Sequence, residues 1–303
     1  MRRIAAALVI VAIAAAAVFF MLTAPRGLPD QTLAAMADGD AAAGERIFYA
    51  GGCTSCHESA RTQGEGAPEL GGGLALATPF GTFHAPNISP DPQSGIGNWS
   101  GADFANAMMR GVSPGGSHYY PAFPYTSYAR MKPGDVADLW AYMQTLPAVP
   151  NANKAHELSF PFTVRRGLGL WKLLFLSSGP VVAIDENDPQ QVLGRYLAEG
   201  PGHCGECHTP RNPIGGPDTS RWLSGGPAPE GDGKIPNITP HASGIGSWSA
   251  ADIAYSLESG FTPEFDSFGS SMADVQRNMA RLTAEDRAAI AAYLKAVPAV
   301  SSD

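Results

Sequence analysis

Charge is scarce in this chain of 303 residues: only 16% are Asp, Glu, Lys or Arg, and acid prevails, leaving a formal charge of −8. So few cations leave no electrostatic footprint for a nucleic acid, and none is expected as a partner. Cysteine is scarcer still, at four, too few for a dense disulfide scaffold. Strand signals are missing as well, since no run alternates apolar and polar residues with period two. What the chain has is apolar residues, at 44%, with 35 glycines and 26 prolines. That is too apolar for a disordered chain and too rich in turn formers for a plain helix bundle. The length suits two ordinary domains.

Arg2-Arg3 precede an unbroken apolar run from Ile4 to Leu22. At helical rise it measures about 28 Å, close to the ~30 Å hydrocarbon core of a bilayer. A cleaved export signal usually has a shorter apolar region and small residues at its cleavage site. Here the run ends in Phe19-Phe20-Met21-Leu22, with Pro25 nearby. Residues 1–24 therefore read as a transmembrane anchor that stays on the chain, Arg2 and Arg3 remaining inside and the rest exported.

The exported part repeats itself. Pro86-Asn87-Ile88-Ser89-Pro90 returns as Pro236-Asn237-Ile238-Thr239-Pro240, and Gly95-Ile96-Gly97-Asn98-Trp99-Ser100 as Gly244-Ile245-Gly246-Ser247-Trp248-Ser249. Cys53-Thr54-Ser55-Cys56-His57 returns as Cys204-Gly205-Glu206-Cys207-His208, and Pro147-Ala148-Val149 as Pro298-Ala299-Val300. The order is kept with small insertions, which predicts tandem domains at 41–150 and 188–300 with a linker at 151–187. Each copy predicts the same helices. The first starts at Asp40, or at Asp188 with Pro189 in the first turn. The second starts at Ser100 with Asp103, or Ser249 with Asp252, and ends at Gly111 or Gly260. The last starts near Pro133 or Thr283. Gly44 and Gly194 are placed to let first and last helices approach closely. The expected class is all-α, with long Gly/Pro-rich loops that leave a core too small to stand without a non-protein filler. The linker, with Phe160-Pro161-Phe162 and Leu168 through Leu176, is too apolar to hang in water. It either packs across both copies or docks on a partner or membrane surface.

Both cysteine pairs are C-x-x-C followed at once by His. A thiol-redox motif wants a βαβ setting, which is missing. Structural zinc wants four converging ligands, and each copy offers two Cys and one adjacent His. Covalent haem fits every part: Cys53 with Cys56, and Cys204 with Cys207, bond the porphyrin, and His57 or His208 takes the iron. Two haem c groups would also fill the missing cores. A thioether suits the sixth position, from the loop before the last helix. Met272 is the choice in copy two, with Met279 in reserve, and Met131 is the one methionine in that loop of copy one. Counted from the last helix, Met131 falls on Leu282 and Met272 on Pro121. His118 lies in the copy-one loop and offers a bis-His alternative. Asn87, Trp99, Asn237 and Trp248 carry donors for buried propionates or loop carbonyls.

On these motifs, with Cys207-His208-Thr209-Pro210-Arg211-Asn212 and Tyr120-Pro121-Ala122-Phe123-Pro124-Tyr125, each copy resembles the class I cytochrome c domain. Together they resemble the cytochrome c subunits of membrane-bound bacterial alcohol, gluconate and aldehyde dehydrogenases. Two departures stand out: two haem domains where alcohol-dehydrogenase subunits typically have three, and Phe123 where those often have methionine. The resemblance implies a non-catalytic subunit at the bacterial inner membrane, its soluble part in the periplasm. It would pass electrons from a quinoprotein, flavoprotein or molybdenum dehydrogenase to quinone or a terminal oxidase. A free-standing carrier and a dihaem peroxidase are the alternatives.

Overall fold

The computed structural model describes residues 1–36, 38–59, 66–228 and 233–302. Thirteen α-helices follow in chain order among the described residues. The N-terminal ones are α1 (Arg2–Leu22), α2 (Asp30–Ala34), α3 (Ala41–Ala50), α4 (Cys53–His57), α5 (Gly101–Arg110), α6 (Tyr125–Tyr128) and α7 (Pro133–Met143). After α8 (Leu168–Phe175) come α9 (Pro189–Glu199), α10 (Gly205–His208), α11 (Ala250–Ser259), α12 (Ser271–Met279) and α13 (Ala284–Ala296).

The helix ends lie where the sequence puts them. The Asp40 side chain accepts from Ala42 N at 2.8 Å, and Asp188 accepts from Gln190 N at 2.9 Å with Pro189 opening the helix. Ser100 with Asp103 and Ser249 with Asp252 form full capping boxes, each box closing two otherwise unpaired backbone donors. Gly111 and Gly260 end those helices at φ of 58° and 79°, a left-handed turn that glycine takes without strain.

Two cores result. In the N-terminal half α3 lies against α7, around Phe48, Phe104, Val136 and Leu139; in the C-terminal half α9 lies against α13, around Leu197, Ile290 and Tyr293. A Cβ on Gly44 would sit 1.9 Å from Asp138 O, and one on Gly194 would sit 1.9 Å from Ala289 O. Both helix pairs therefore cross at the contact distance of bare backbone, as the two glycines lead one to expect.

The all-α expectation needs correcting. β1 (Ala75–Thr78) and β2 (Gly81–His84) form an antiparallel hairpin, and β3 (Glu157–Leu158) pairs on the far side of β2. β4 (Gly226–Pro227) pairs with β5 (Lys234–Ile235). These strands are too short for an alternation signal, and β3 comes from the linker, far away in sequence.

The linker binds both halves and the N-terminal helix. Trp171 is buried and its indole N–H donates to Ile214 O at 3.0 Å, while Lys172 Nζ donates to Arg110 O and Gly111 O, each at 2.7 Å. Arg166, in the turn that leads into α8, donates to Thr23 Oγ1 at 2.9 Å and to Phe20 O, fixing that turn against the end of α1. Helix α1 is apolar along its length and buries none of its residues in the protein.

The halves are joined by Arg46 on α3 and Asp286 at the start of α13, whose carboxylate is 3% exposed. Burial alone would raise Asp286, but Arg46 and Thr283 outweigh it and hold the carboxyl below its ordinary range. Its contribution to stability is therefore complete above about pH 4 and drains away as pH falls through the lowered value. Asp286→Asn should cost about 2 kcal/mol at pH 7, less than a fully buried pair because Arg46 is part-exposed. Denaturant titrations should show that difference shrinking towards pH 3; a difference independent of pH would disprove the ion pair's role.

Candidate haem sites

Each C-x-x-C-H segment is a single helical turn set on the end of a longer helix. Gly51-Gly52 turn the chain from α3 into α4, Gly52 at φ of 55°. In the other half Pro201-Gly202-His203 turn it from α9 into α10. No disulfide joins the four cysteines, and among the described residues no three His, Cys, Asp or Glu converge as a metal cluster. Burial pushes the Cys53 and Cys204 thiols up to about 12, so both are neutral.

The two histidines are held alike. His57 Nδ1–H donates to Pro86 O at 2.8 Å and His208 Nδ1–H to Pro236 O at 2.9 Å. A carbonyl can only accept, so the proton is fixed on Nδ1 and the lone pair on Nε2. Burial lowers both imidazoles below their ordinary range, against the pull of the carbonyls. Each ring is thus kept neutral, oriented and ready to give Nε2 to a metal.

Those carbonyls belong to the repeated Pro-Asn-Ile motif, and the asparagines hold it. Asn87 Nδ2 donates to Val149 O at 2.6 Å and its Oδ1 accepts from Ser89 N at 2.9 Å. Asn237 Nδ2 donates to Val300 O at 2.7 Å and its Oδ1 accepts from Thr239 N at 2.8 Å. This explains why Pro147-Ala148-Val149 is repeated as well: its valine carbonyl receives the asparagine. Asn87 spends its bonds on loop backbone, and Asn237 on loop backbone and Ser243 Oγ at 3.1 Å, so both position the histidines through the proline carbonyls. Trp99 and Trp248 are half-buried against the cores that carry Cys53 and Cys204 respectively.

Met272 stands in the first turn of α12, half-buried on the same core as Cys204. Met279 is buried deeper in that core. Met131 is 3% exposed within the N-terminal core. Phe123 is half-buried against that core, its ring 5.7 Å from that of Tyr128. Burial and the nearby Cys53 and Cys56 raise Tyr128 well above its ordinary range. The bis-His alternative is not assembled, because His118 Nε2–H donates to Thr23 O at 2.9 Å and Nδ1 accepts from Lys172 Nζ at 3.1 Å.

The cytochrome c family model matches residues 41–147. A diheme cytochrome c-type protein of Cereibacter sphaeroides is 54% identical over 300 residues, covering 99% of both chains. The chain belongs to the dihaem c-type cytochromes. The fructose dehydrogenase cytochrome subunit of Gluconobacter japonicus is 37% identical over 84% of this chain and 52% of its own. The gluconate 2-dehydrogenase cytochrome c subunit of Pantoea cypripedii is 36% identical over 84% of this chain and 59% of its own. The chain thus spans little more than half the length of these two subunits.

As a dihaem cytochrome it carries two covalent haem c groups and transfers electrons rather than turning over a substrate. The donor set fits that group: each motif places two cysteine sulfurs beside an imidazole that presents Nε2. Sequence reasoning missed the residues that bring the two motifs together. Glu206, inside the second motif, accepts from Thr126 Oγ1 at 2.7 Å and Ser127 Oγ at 2.8 Å on α6. Thr54, inside the first, donates to Asn278 Oδ1 at 2.9 Å on α12, and Asn278 Nδ2 donates to Ser55 Oγ at 3.1 Å. His203 Nε2–H donates to Gly51 O at 3.2 Å. Each haem motif is therefore held by the other half's last loop, a relation with no local signal.

Asn87→Ala would take the shortest donor from the buried Val149 carbonyl, which keeps Ser89 Oγ at 3.4 Å, and would leave the buried Ser89 amide unpaired, a loss of about 1–3 kcal/mol. It should also free the first histidine ring. Thermal unfolding should show the loss, with the matching Asn237→Ala close to it; unchanged melting in both would contradict the positioning role.

Proposed function

We propose that the chain is a membrane-anchored relay of two tandem cytochrome c domains, 41–150 and 188–300. It would take electrons from a periplasmic dehydrogenase and deliver them to quinone or a terminal oxidase at the bacterial inner membrane. In this reading Cys53 and Cys56 bind one haem and Cys204 and Cys207 the other, through thioether bonds. His57 and His208 give Nε2 to the irons, and Met272 gives its sulfur to the second. The haem supplies a one-electron Fe(III)/Fe(II) couple. The protein's part is to keep the rings neutral and oriented, exclude water, and hold the two sites together.

The observation that carries the reading is the reciprocal packing of the motifs. A route between two centres through Thr54, Asn278, His203, Glu206 and the α6 hydroxyls needs no diffusion of one half against the other. Glu206 suits such a joint. Burial would raise it, but Arg211, Thr126 and Ser127 hold it below the ordinary carboxylate range. It stays ionised and bonded throughout the physiological range.

Anchoring is supported by α1 and by what lies at its foot. Helix α8 crosses the end of α1 so closely that a Cβ on Gly169 would sit 2.5 Å from Thr23 Cα. Leu170, Leu173 and Leu174 on α8, with Phe160 and Val164 before it, are exposed beside that junction. Leucines beside the end of a spanning helix are placed to enter the headgroup region, a second contact that would fix the soluble part's tilt.

A free-standing carrier is the second reading. The end-to-end relative from Cereibacter sphaeroides is named for its haems alone, with no dehydrogenase. A peroxidase would need an acid–base group over an open iron, and His118, the histidine in the copy-one loop, has both nitrogens engaged.

Haem counting and native electrophoresis test the proposal together. The pyridine haemochrome of the purified chain should give two haems, falling to one in Cys53→Ala/Cys56→Ala and in Cys204→Ala/Cys207→Ala. In gently solubilised native membranes the haem-stained band should migrate with a dehydrogenase activity. Migration alone would favour the free carrier; two haems in either variant would overturn the attachment assignment.

A further inference from the structure

The two copies build the loop over the haem motif alike as far as one residue and then part. In the C-terminal half a bridge pairs Phe261 with Ser267, and Phe268 N returns to Gly260 O at 2.8 Å. In the N-terminal half the matching bridge pairs Val112 with His118, and Tyr119 N returns to Gly111 O at 2.8 Å. Counting forward from these matched bonds, Met272 and Phe123 occupy the same place.

Beyond it, the nine residues of α12 are replaced by the four of α6. Register returns before the last helix, where Met131 N bonds Tyr128 O at 3.0 Å as Leu282 N bonds Met279 O at 3.1 Å. Met131 therefore stands where copy two has a core leucine, and both are buried. Its Cγ lies within 3.8 Å of where a Cβ on Gly200 would be, facing the end of α9. Aligning the copies from the last helix alone hides this, because the length change lies between the two methionines.

We propose that Met131 is a core side chain and not a ligand, and that the first iron has no protein ligand on its Phe123 side. That face takes a small neutral diatomic molecule, such as carbon monoxide on the reduced iron. This rests on the reading that Cys53, Cys56 and His57 hold the first haem. A phenyl ring has no lone pair to give. His118 cannot replace it, both its nitrogens being bonded elsewhere. The rings nearest Phe123 are those of Tyr119, Tyr125 and Tyr128, with centroids 5.7, 6.3 and 5.7 Å away. Burial raises all three phenols, so they are neutral and poor iron ligands. Aromatic walls favour a neutral guest over an anion, and Lys172, whose Nζ lies 4.6 Å over the Tyr125 ring, is pushed down to about 7 by burial. Carbon monoxide adds to ferrous iron as a two-electron donor, with nothing oxidised, reduced or released.

The test uses the full-length, haem-loaded protein, with haem content fixed first by pyridine haemochrome. Carbon monoxide titrated into the reduced protein should shift half of the Soret intensity and leave the other half unchanged. Near-infrared magnetic circular dichroism of the oxidised protein should show the methionine–iron band for one haem of the two. Met131→Leu should leave both readouts as they are, and Phe123→Met should abolish carbon monoxide binding and add the second band. Two methionine bands in the unaltered protein, one lost in Met131→Leu, would overturn the proposal, as would a reduced protein indifferent to carbon monoxide. Fewer than two haems per chain would instead defeat the attachment reading on which it rests.

Discussion

A histidine ring held by a proline carbonyl is the contact on which much of this molecule depends. One hydrogen bond sets the tautomer, the ring's orientation and which nitrogen faces outward, and it works only if the carbonyl does not move. The chain spends a whole motif on that. An asparagine side chain ties the loop to the carbonyl of a terminal valine, and a serine or threonine reaches the same valine: Ser89 Oγ accepts from Val149 N at 3.0 Å, and Thr239 Oγ1 from Val300 N at 3.2 Å. The Gly-Ile-Gly turn folds back under it. A Cβ on Gly95 would meet Ser89 O at 2.1 Å, so only glycine fits. The end of each repeat is thus bolted to the carbonyl that orients its histidine.

The second constraint is between the halves. Neither motif is completed by its own repeat: Glu206 reaches the N-terminal half's α6, and Thr54 and Ser55 reach the C-terminal half's α12. The Arg46–Asp286 pair closes the same seam from the helix side. Buried ion pairs add little net stability over apolar packing, but removing one partner is costly. Such a seam favours one arrangement of the halves over others. For a chain proposed to pass electrons between two bound groups, a fixed arrangement is what function requires.

Much of this was legible in the sequence, because it is written locally. Asp40, Asp188, the two Ser-x-x-Asp boxes and the closing glycines mark helix ends by chemistry confined to one turn. The cysteine–histidine spacing and the repeated Pro-Asn-Ile motif are equally local, and the pairing of Gly44 and Gly194 with the last helices followed from their matched places in the repeat. What escaped depends on partners distant in the chain. The hairpin at Ala75–His84 is too short for its period to register, and its third strand comes from the linker. Arg46, Asp286, Glu206 and Asn278 read as ordinary surface polar residues until the halves meet. The equivalence of Phe123 with Met272 was concealed by a difference in helix length, which backbone bonds on either side of the loop reveal.

If the two sites exchange electrons within one fixed molecule, rapid photoreduction of the dihaem protein shows it. With sub-stoichiometric reduction, the electron should redistribute between the two haems in a first-order phase whose rate does not change on dilution. Glu206→Gln, which loosens the joint at α6, should slow that phase while haem content stays at two. Redistribution that slows in proportion to dilution would mean that electrons pass between molecules, and the relay as described would be wrong.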